Sequence, residues 1–165
     1  MYSKYSCLDL PAIKTKEDLD VLISSYASSI YEEFQETDAL PDDLDELTDA
    51  ISAASGTDAI EQIATVLRSY LKDIHFGANG CSVVVELPSD NERDCSDVLE
   101  PFCTFLFSRS GATHFLMRSV AFDRDGGYSH HWIGYWKDGA VVTEHCDRFF
   151  QQLFSQGTPA LLQPA

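Results

Sequence analysis

Apolar residues recur every three or four positions through the first part of the chain, which is the spacing of a helix with one buried face. The first stripe extends from Leu19 to Phe34 and predicts a helix over about 16–36. Thr15 precedes it as a suitable N-cap, and Asp18 follows three residues later in a pattern close to a capping box. A capped amphipathic helix is therefore the first predicted element.

Two further stripes of the same kind follow. One begins at Pro41, a favourable residue for a first helical turn, and stops at Gly56. The other begins at Thr57, which can act as an N-cap, and ends at Gly77. All three stripes are narrow and have acidic outer faces, so they predict a layer of three helices.

After Gly80 the apolar positions alternate, which is the period of a strand with one buried face. The predicted strands cover 81–87, 102–109, 113–123, 128–137 and 140–145. Asp138-Gly139, between the last two, is a strong signal for a two-residue hairpin. A polar loop is expected over 88–97 and a short helix over 147–154, so this half predicts an antiparallel meander.

Helices followed by antiparallel strands define the α+β class. We expect one domain over 1–165, with an N-terminal three-helix layer packed on a C-terminal antiparallel β-meander and a short C-terminal helix. Within it, 1–77 is the acidic helical part, 78–155 the sheet with its terminal helix, and 156–165 a frayed tail. A hydrophobic content of 44% predicts a packed core rather than disorder.

Charge is distributed unevenly along the chain. The 27 acidic and 11 basic residues give a formal net charge of −16, yet no Lys or Arg occurs in the 51 residues from Glu17 to Leu67. Residues 1–67 alone carry a net charge of −12. This excess excludes binding to nucleic acid or to an anionic membrane through a basic face, and it predicts a basic protein partner.

The acidic residues are densest on the second predicted helix. Five carboxylates within residues 42–49 span about 12 Å at 1.5 Å per residue, or about one charge per 2.4 Å. Duplex DNA carries about one phosphate charge per 1.7 Å. The predicted partner-binding residues are Glu32, Glu33, Glu36, Asp38, Asp42, Asp43, Asp45, Glu46 and Asp49. In charge logic this surface resembles the DNA-mimic inhibitors of phages and plasmids, although no motif identifies a member of such a family.

The acidic residues are also compatible with a surface that has no partner. Carboxylates in the first turn of a helix offset the macrodipole, so they can be stable on a merely solvated face. Against this, the like-charge pairs on the second predicted helix cost about 1–2.5 kcal/mol in isolation. Adaptation to high salt produces acid-rich surfaces too, although ten Phe and five Cys fit it less well and the acidity would then be even.

Several classes of function lack their sequence signals. The chain has no apolar run long enough for a membrane span and no signal peptide at its N-terminus, so a cytoplasmic location is expected. Five cysteines without a CxxC pair argue against a disulfide framework and a structural zinc site. We expect no cofactor, because no nucleotide-binding or metalloprotease motif occurs.

One segment has a pattern typical of catalysis. His131-Trp132 opens a strand and an acid follows on the next one, which resembles the His-acid half of papain-like and adenain-like cysteine proteases over about 15 residues. The resemblance implies His131 as the base and Glu144 or Asp138 as the orienting acid. The candidate nucleophiles are Cys81, Cys95 and Cys146.

The same segment allows two further interpretations. His130, His131, His145 and Cys146 are candidate metal ligands, although adjacent histidines on a strand point to opposite faces. Alternation also places Trp132 and Trp136 on one face of the strand, and His131, Ile133 and Tyr135 on the other. One face is core, and the other is available as an aromatic surface for a homodimer or a partner.

The sequence thus favours a non-enzymatic acidic inhibitor, a DNA or phosphate mimic that blocks a basic nucleic-acid-binding protein. A counter-defence factor of a phage or mobile element, of the anti-restriction or anti-CRISPR type, would have this character. The alternative is an immunity protein against a basic nuclease toxin or an acidic secretion chaperone. A papain-like Cys-His hydrolase is the third hypothesis.

Overall fold

A computed structural model describes residues 2–89, 95–123 and 126–145. The strands are β1 (Tyr2–Leu10), β2 (Leu71–Gly77), β3 (Gly80–Ser89), β4 (His114–Asp123), β5 (Gly126–Lys137) and β6 (Ala140–His145). The helices are α1 (Lys16–Thr37), α2 (Thr48–Ala53), α3 (Gly56–Ser69) and α4 (Cys95–Ser110), with a 3₁₀ helix over Asp42–Leu47. The predicted mixed α+β class is confirmed, and the predicted C-terminal helix over 147–154 lies outside the described residues.

The strands form one antiparallel sheet in the order β2-β3-β1-β4-β5-β6. Its second half is a meander of β4, β5 and β6, as the alternating pattern predicts. The first half is not a meander, because the N-terminal strand β1 inserts between β3 and β4. The predicted division into a helical part before 78 and a sheet after it is therefore wrong, since β1 and β2 belong to the sheet.

Strand β1, which the helical patterns gave no reason to expect, is central to the sheet. Its residues alternate: Ser6, Leu8 and Leu10 are buried, while Cys7 and Asp9 are exposed. Alternation of this kind is the signature of a strand with one covered face. The missed signal was this short alternation within the first ten residues.

The third predicted helix ends eight residues early. Leu71 continues the helical stripe of Leu67, which is why the sequence predicts helix to Gly77. Instead, the backbone carbonyl of Tyr70 accepts a hydrogen bond from the N–H of Glu86 at 2.8 Å, and the chain continues as β2. Strand pairing with β3 thus overrides a helical period that had about two further turns to add.

Helix α4 replaces the strand predicted over 102–109 and the end of the loop predicted over 88–97. Its buried residues are Phe102, Cys103, Leu106, Phe107 and Ser110. Burial at intervals of one, three, one and three residues is a helical pattern, whereas a strand would bury every second residue. The aromatic content, which favours strands in general, made the segment look like one.

The second predicted helix divides into two short elements. A 3₁₀ helix over Asp42–Leu47 leads into the six-residue α2, without a continuous α-helix from Pro41. Leu44 and Ile51 remain buried, as predicted. The hydrophobic stripe is therefore kept although the backbone geometry changes.

All the described helices share one core with one face of the sheet. Helix α4 packs against β1 and β3, while α1 packs mainly on α3 and also reaches α4. The ring of Tyr26 on α1 stacks on Phe102 at 5.3 Å and meets Phe105 at 4.7 Å between ring centroids. Buried residues of β1 and β3 belong to the same core cluster.

The other sheet face, here called the open face, bears the residues that alternate with those buried ones. Its described members include Cys7, Asp9, Lys72, Ser82, Val84, His131, Ile133, Tyr135 and Glu144. Trp136 lies on the covered side, where its ring meets Phe107 at 5.4 Å, and Trp132 packs against the core. The two tryptophans are therefore on the core face, and the open face holds His131, Ile133 and Tyr135.

Candidate protein-binding surface

The predicted partner-binding carboxylates occupy the end of α1 and the segment that follows it. Together they are called the acidic surface: Glu32, Glu33, Glu36, Asp38, Asp42, Asp43, Asp45, Glu46 and Asp49. The side chains of all but Asp42 and Asp43 are among those described, and each of these is exposed. The structure thus brings the two predicted groups of acids into neighbouring elements.

The end of α1 is an unfavourable place for negative charge. A helix carries about half a negative charge at its C-terminus, so cations are stabilising there and anions are not. Glu33 and Glu36 lie within the last turn and a half of α1, which contains no basic residue in its last turn. Glu32 and Glu36, four residues apart, add a like-charge repulsion.

Asp38 ends the helix in a specific way. It is the C-cap, with a left-handed φ of 59°, and its N–H donates to the carbonyl of Phe34 at 2.8 Å. Short polar residues tolerate this conformation better than most others do. The left-handed cap ends α1 and turns the chain, and the 3₁₀ helix begins four residues later, at Asp42.

The 3₁₀ helix separates its apolar and acidic positions cleanly. With three residues per turn, positions three apart lie on one line along the helix. Leu44 and Leu47 share one line, and Leu44 is only 1% exposed. Positions 42 and 45 share a second line, and positions 43 and 46 share the third. The backbone therefore presents two parallel acidic ridges, with one leucine ridge toward the core.

The charge spacing along residues 42–49 is nearly the same in the observed 3₁₀ helix and α2 as in the predicted α-helix. A rise of about 2.0 Å per residue in the 3₁₀ helix and about 1.5 Å in α2 puts residues 42–49 over about 13 Å. Five carboxylates over that length give about one charge per 2.6 Å. The value stays comparable to the phosphate spacing of duplex DNA, about 1.7 Å per charge.

The macrodipole acts differently on the two groups of acids. Helix α2 begins at Thr48, so Asp49 is the acidic residue of its first turn. Asp42, Asp43 and Asp45 precede that turn and lie in the 3₁₀ helix, which continues directly into α2. Aligned peptide dipoles favour negative charge at the N-terminal end of this helical stretch, so the unfavourable electrostatics is that of the carboxylates at the end of α1.

The first basic residue that follows the acidic surface in the sequence is paired elsewhere. Arg68, at the end of α3, bonds Glu61 at 2.8 Å and Asp20 at 3.2 Å, and the bond to Glu61 is the main cause of its raised pKa. Neither ion pair involves the acidic surface, and its seven described carboxylates have no ion pair with a described side chain. Its described carboxylates thus face solvent without a cation from the described part of the chain.

The pairing of Cys81 with His131, one form of the cysteine-protease hypothesis, is excluded by the geometry of the sheet. Cys81 is buried on the covered side of the sheet, where desolvation raises the pKa of its thiol, whereas His131 belongs to the open face. A nucleophile needs the opposite shift, toward thiolate, and contact with its base. The other two candidate cysteines fall outside the described side chains: Cys95 is the first residue of α4, where the backbone alone is described, and Cys146 lies beyond the described residues.

The proposed orienting acids also serve other purposes. Glu144 pairs with Ile133 in the sheet, and its carboxylate accepts a hydrogen bond from the hydroxyl of Tyr135 at 2.6 Å, which raises the pKa of that phenol. Tyr135 lies four residues beyond His131, about 13 Å along the strand. Asp138 lies in the β5–β6 turn with a φ of 52°, followed by Gly139 at 79°, which confirms the predicted hairpin.

Metal binding has no support in the described structure. Among its residues, no group of three or more His, Cys, Asp and Glu side chains is placed to hold an ion. The register pairs His145 with Trp132 rather than with His131. The predicted convergence of His131 with His145 is therefore wrong in register, and Cys146 lies outside the described chain.

One polar arrangement was not predicted. The register aligns Asp9, Ser82 and His75 across β1, β3 and β2, beside a solvent-open groove of about 530 Å³. A catalytic triad needs its histidine between the other two members and bonded to both. Here the serine is central and no hydrogen bond joins the three side chains, so the groove does not form a triad.

Comparisons with models of protein families, with curated proteins and with solved structures give no match to this chain. Among the described helices, none has both the length and the apolar character needed to cross a bilayer. Any function must therefore be inferred from the chain's own residues and their placement.

Proposed function

We propose that this protein is a non-enzymatic inhibitor whose acidic surface occupies the nucleic-acid-binding groove of a basic protein. The observation that carries the proposal is the placement of carboxylates at the C-terminal end of α1 and along the 3₁₀ helix. Helix electrostatics disfavours the first group, and no described cation neutralises either. These carboxylates lower the stability of the free protein. A partner that supplies positive charge would offset that loss in the complex.

The chemistry of the acidic surface fits a phosphate-binding groove better than a single basic pocket. Two acidic ridges with about one charge per 2.6 Å approximate a charged backbone rather than one anion. A groove lined with Lys and Arg binds DNA with little regard to sequence, through the spacing of phosphates. A protein with similar charge spacing can compete for such a groove without any base contact.

This mode of action suits a cytoplasmic counter-defence factor of a phage or mobile element. Restriction enzymes and CRISPR effectors hold duplex or heteroduplex backbones in basic channels. An acidic protein of 165 residues can block such a channel without recognising any sequence. Association should be fast and strongly dependent on salt, because electrostatic steering weakens with ionic strength.

The test is displacement of fluorescent duplex DNA from purified restriction endonucleases, CRISPR effector complexes and nuclease toxins. We expect the protein to release DNA from at least one of these enzymes, and to do so less effectively as salt increases. The neutralised variant Asp42→Asn, Asp45→Asn, Glu46→Gln and Asp49→Asn should compete at least about tenfold more weakly. It should fold at least as stably, because like charges are removed.

A matched control removes four charges elsewhere: Glu17→Gln, Asp58→Asn, Asp73→Asn and Asp138→Asn. Asp73 and Asp138 have positive φ values of 49° and 52°, which Asn tolerates as well. This control should inhibit nearly as well as the natural protein. Equal binding of the natural and neutralised proteins would contradict the proposal. Inhibition of one toxin alone, without release of its DNA, would favour an immunity protein instead.

A further inference from the structure

The central row of the open face crosses all six strands. Strand register aligns Lys72 on β2, Val84 on β3, Cys7 on β1, Leu116 on β4, Ile133 on β5 and Glu144 on β6. A cation therefore stands at one end of the row and an anion at the other. The four positions between them are apolar or nearly so.

The described side chains of this row are accessible. Lys72, Cys7 and Glu144 are exposed, whereas Val84 and Ile133 are half-buried. The described helices pack on the other face of the sheet. A row of apolar side chains on a face without helices is what a second sheet covers in a sandwich, at a distance of about 10 Å. Lys72 and Glu144 would then lie at the rim, where charges set orientation.

We propose that the open face is the interface of a homodimer, in which two sheets stack about a two-fold axis parallel to the strands. Such an axis reverses the order of strands, so β2 of one copy faces β6 of the other. Lys72 then faces Glu144 of the second copy, and Val84 faces Ile133. Both contacts occur twice, as symmetry requires of such an interface.

The alternative two-fold axis, running along the row, is electrostatically unfavourable. It would place Lys72 against Lys72 and Glu144 against Glu144, and like charges across an interface cost free energy. The axis parallel to the strands adds a further polar contact. Asp9 and His114 lie two residues beyond the paired Cys7 and Leu116, so each faces the other across this axis.

The size of the face matches the need of a dimer. Six strands about 4.8 Å apart, with about nine residues rising 3.3 Å each, give a projected area of about 700 Å². A standard interface buries about 800 Å² on each partner. The acidic surface lies with the helices on the covered side, so stacking keeps the two acidic surfaces on opposite outer sides of the dimer.

The first test is the mass of the full chain in solution, by sedimentation equilibrium across concentration. The monomer mass is 18.4 kDa, and we expect the protein to approach twice that value. Lys72→Glu and Glu144→Lys should each weaken association about tenfold or more, because each creates two like-charge contacts per dimer. The double variant should associate within about threefold of the natural protein, since it reverses both members of each pair.

Three controls test whether association depends on this geometry. Lys16→Glu on α1 makes the same charge change as Lys72→Glu and should leave association unchanged. Glu17→Lys on α1 makes the same charge change as Glu144→Lys and should also leave association unchanged. Circular dichroism should show the same fold for every variant, because the substituted side chains are largely exposed.

Two outcomes would overturn the proposal. A natural protein that stays monomeric at high concentration leaves the open face to solvent or to residues 146–165 of its own chain. A dimer whose single charge variants are not rescued by the double variant uses another surface or another axis. The homodimer proposal is independent of the proposed function, since none of its contacts involves the acidic surface.

Discussion

Gly80 marks a close crossing of two backbone segments. Its φ of 107° lies in the region that favours glycine, and a Cβ there would be 2.5 Å from the carbonyl oxygen of Leu10. Gly139 also has a positive φ, 79°, but a Cβ there would meet nothing within 4 Å. The two glycines thus separate the effect of backbone strain from that of steric conflict.

We predict that Gly80→Ala destabilises the protein by about 3 kcal/mol or more, whereas Gly139→Ala costs about 1 kcal/mol. The larger loss arises because the added methyl group must displace backbone rather than a side chain. Urea denaturation of both variants measures the difference. Equal losses would mean that the β1–α1 turn moves aside at little cost.

Tyr26 couples α1 to α4 and contains a titratable group within that contact. Burial, with smaller effects of Cys103 and Glu33, raises its pKa from 10.0 to about 12. Since the folded state disfavours the phenolate, the stabilising contribution is complete below pH 10. It is lost as the pH rises through the folded-state value.

We therefore predict that the natural protein loses about 1.4 kcal/mol of stability at pH 11 that Tyr26→Phe does not lose. The substitution keeps the ring that stacks on Phe102 and removes the hydroxyl. Denaturant unfolding of both proteins at pH 8 and pH 11 measures how much free energy of unfolding each one loses. Parallel losses in both proteins would show that Tyr26 ionises without penalty in the folded state.

At the scale of the element, α1 carries acids at both of its ends. Glu17 lies in the first turn, where negative charge interacts favourably with the macrodipole, and Glu36 lies near the last turn, where it does not. We predict that Glu36→Lys raises the free energy of unfolding by about 0.5–1.5 kcal/mol, through the macrodipole and relief of repulsion by Glu32.

Glu17→Lys is the matched variant at the opposite end of the same helix, with the same charge change. It should lower the free energy of unfolding by about 0.3–1 kcal/mol. Changes of opposite sign in the free energy of unfolding, measured by thermal or urea unfolding at low salt, would show that Glu36 lowers the stability of the natural protein. Stabilisation by both variants would mean that only the overall charge matters.

The elements that could be predicted from sequence are those in which one period is unambiguous over many residues. The stripe from Leu19 to Phe34 gives α1 to within one residue, and Thr15 with Asp18 forms the full capping box. The hairpin at Asp138-Gly139 follows directly from its turn residues. Local physical rules decide these segments, so the sequence suffices.

The missed elements depend on contacts that are distant in sequence. Leu71 fits a helix by spacing, but pairing with Val85 on β3 makes it the first residue of a strand. The spacing of Phe102 and Phe107 fits both a helix and a strand, and their burial against the sheet decides for the helix α4. For the acidic surface, composition located the carboxylates, whereas the 3₁₀ geometry and the position of Glu33 and Glu36 at an unfavourable helix end required the structure.

At the scale of the molecule, net charge should make stability depend on salt. The formal charge is −16, and the described carboxylates of the acidic surface have no ion pair with a described cation. Adding NaCl up to about 0.5 M screens the like charges, so we predict a rise in melting temperature of about 2–6 °C. The neutralised variant at positions 42, 45, 46 and 49 should show a smaller rise. A flat or falling curve would contradict the expected self-repulsion.

Strand β2 forms one outer edge of the sheet, and its pairing with β3 shifts register between Lys72 and His75, where Asp73 has a φ of 49°. An uninterrupted edge is a template on which further chains can add strands and grow into fibrils, and Ile74 and Phe76, each 41% exposed, would favour such growth. The bulge breaks the ladder that an added strand would need. The irregular edge thus protects concentrated protein from cross-β aggregation, and deletion of Asp73 should remove that protection, as seeded thioflavin T fluorescence would show.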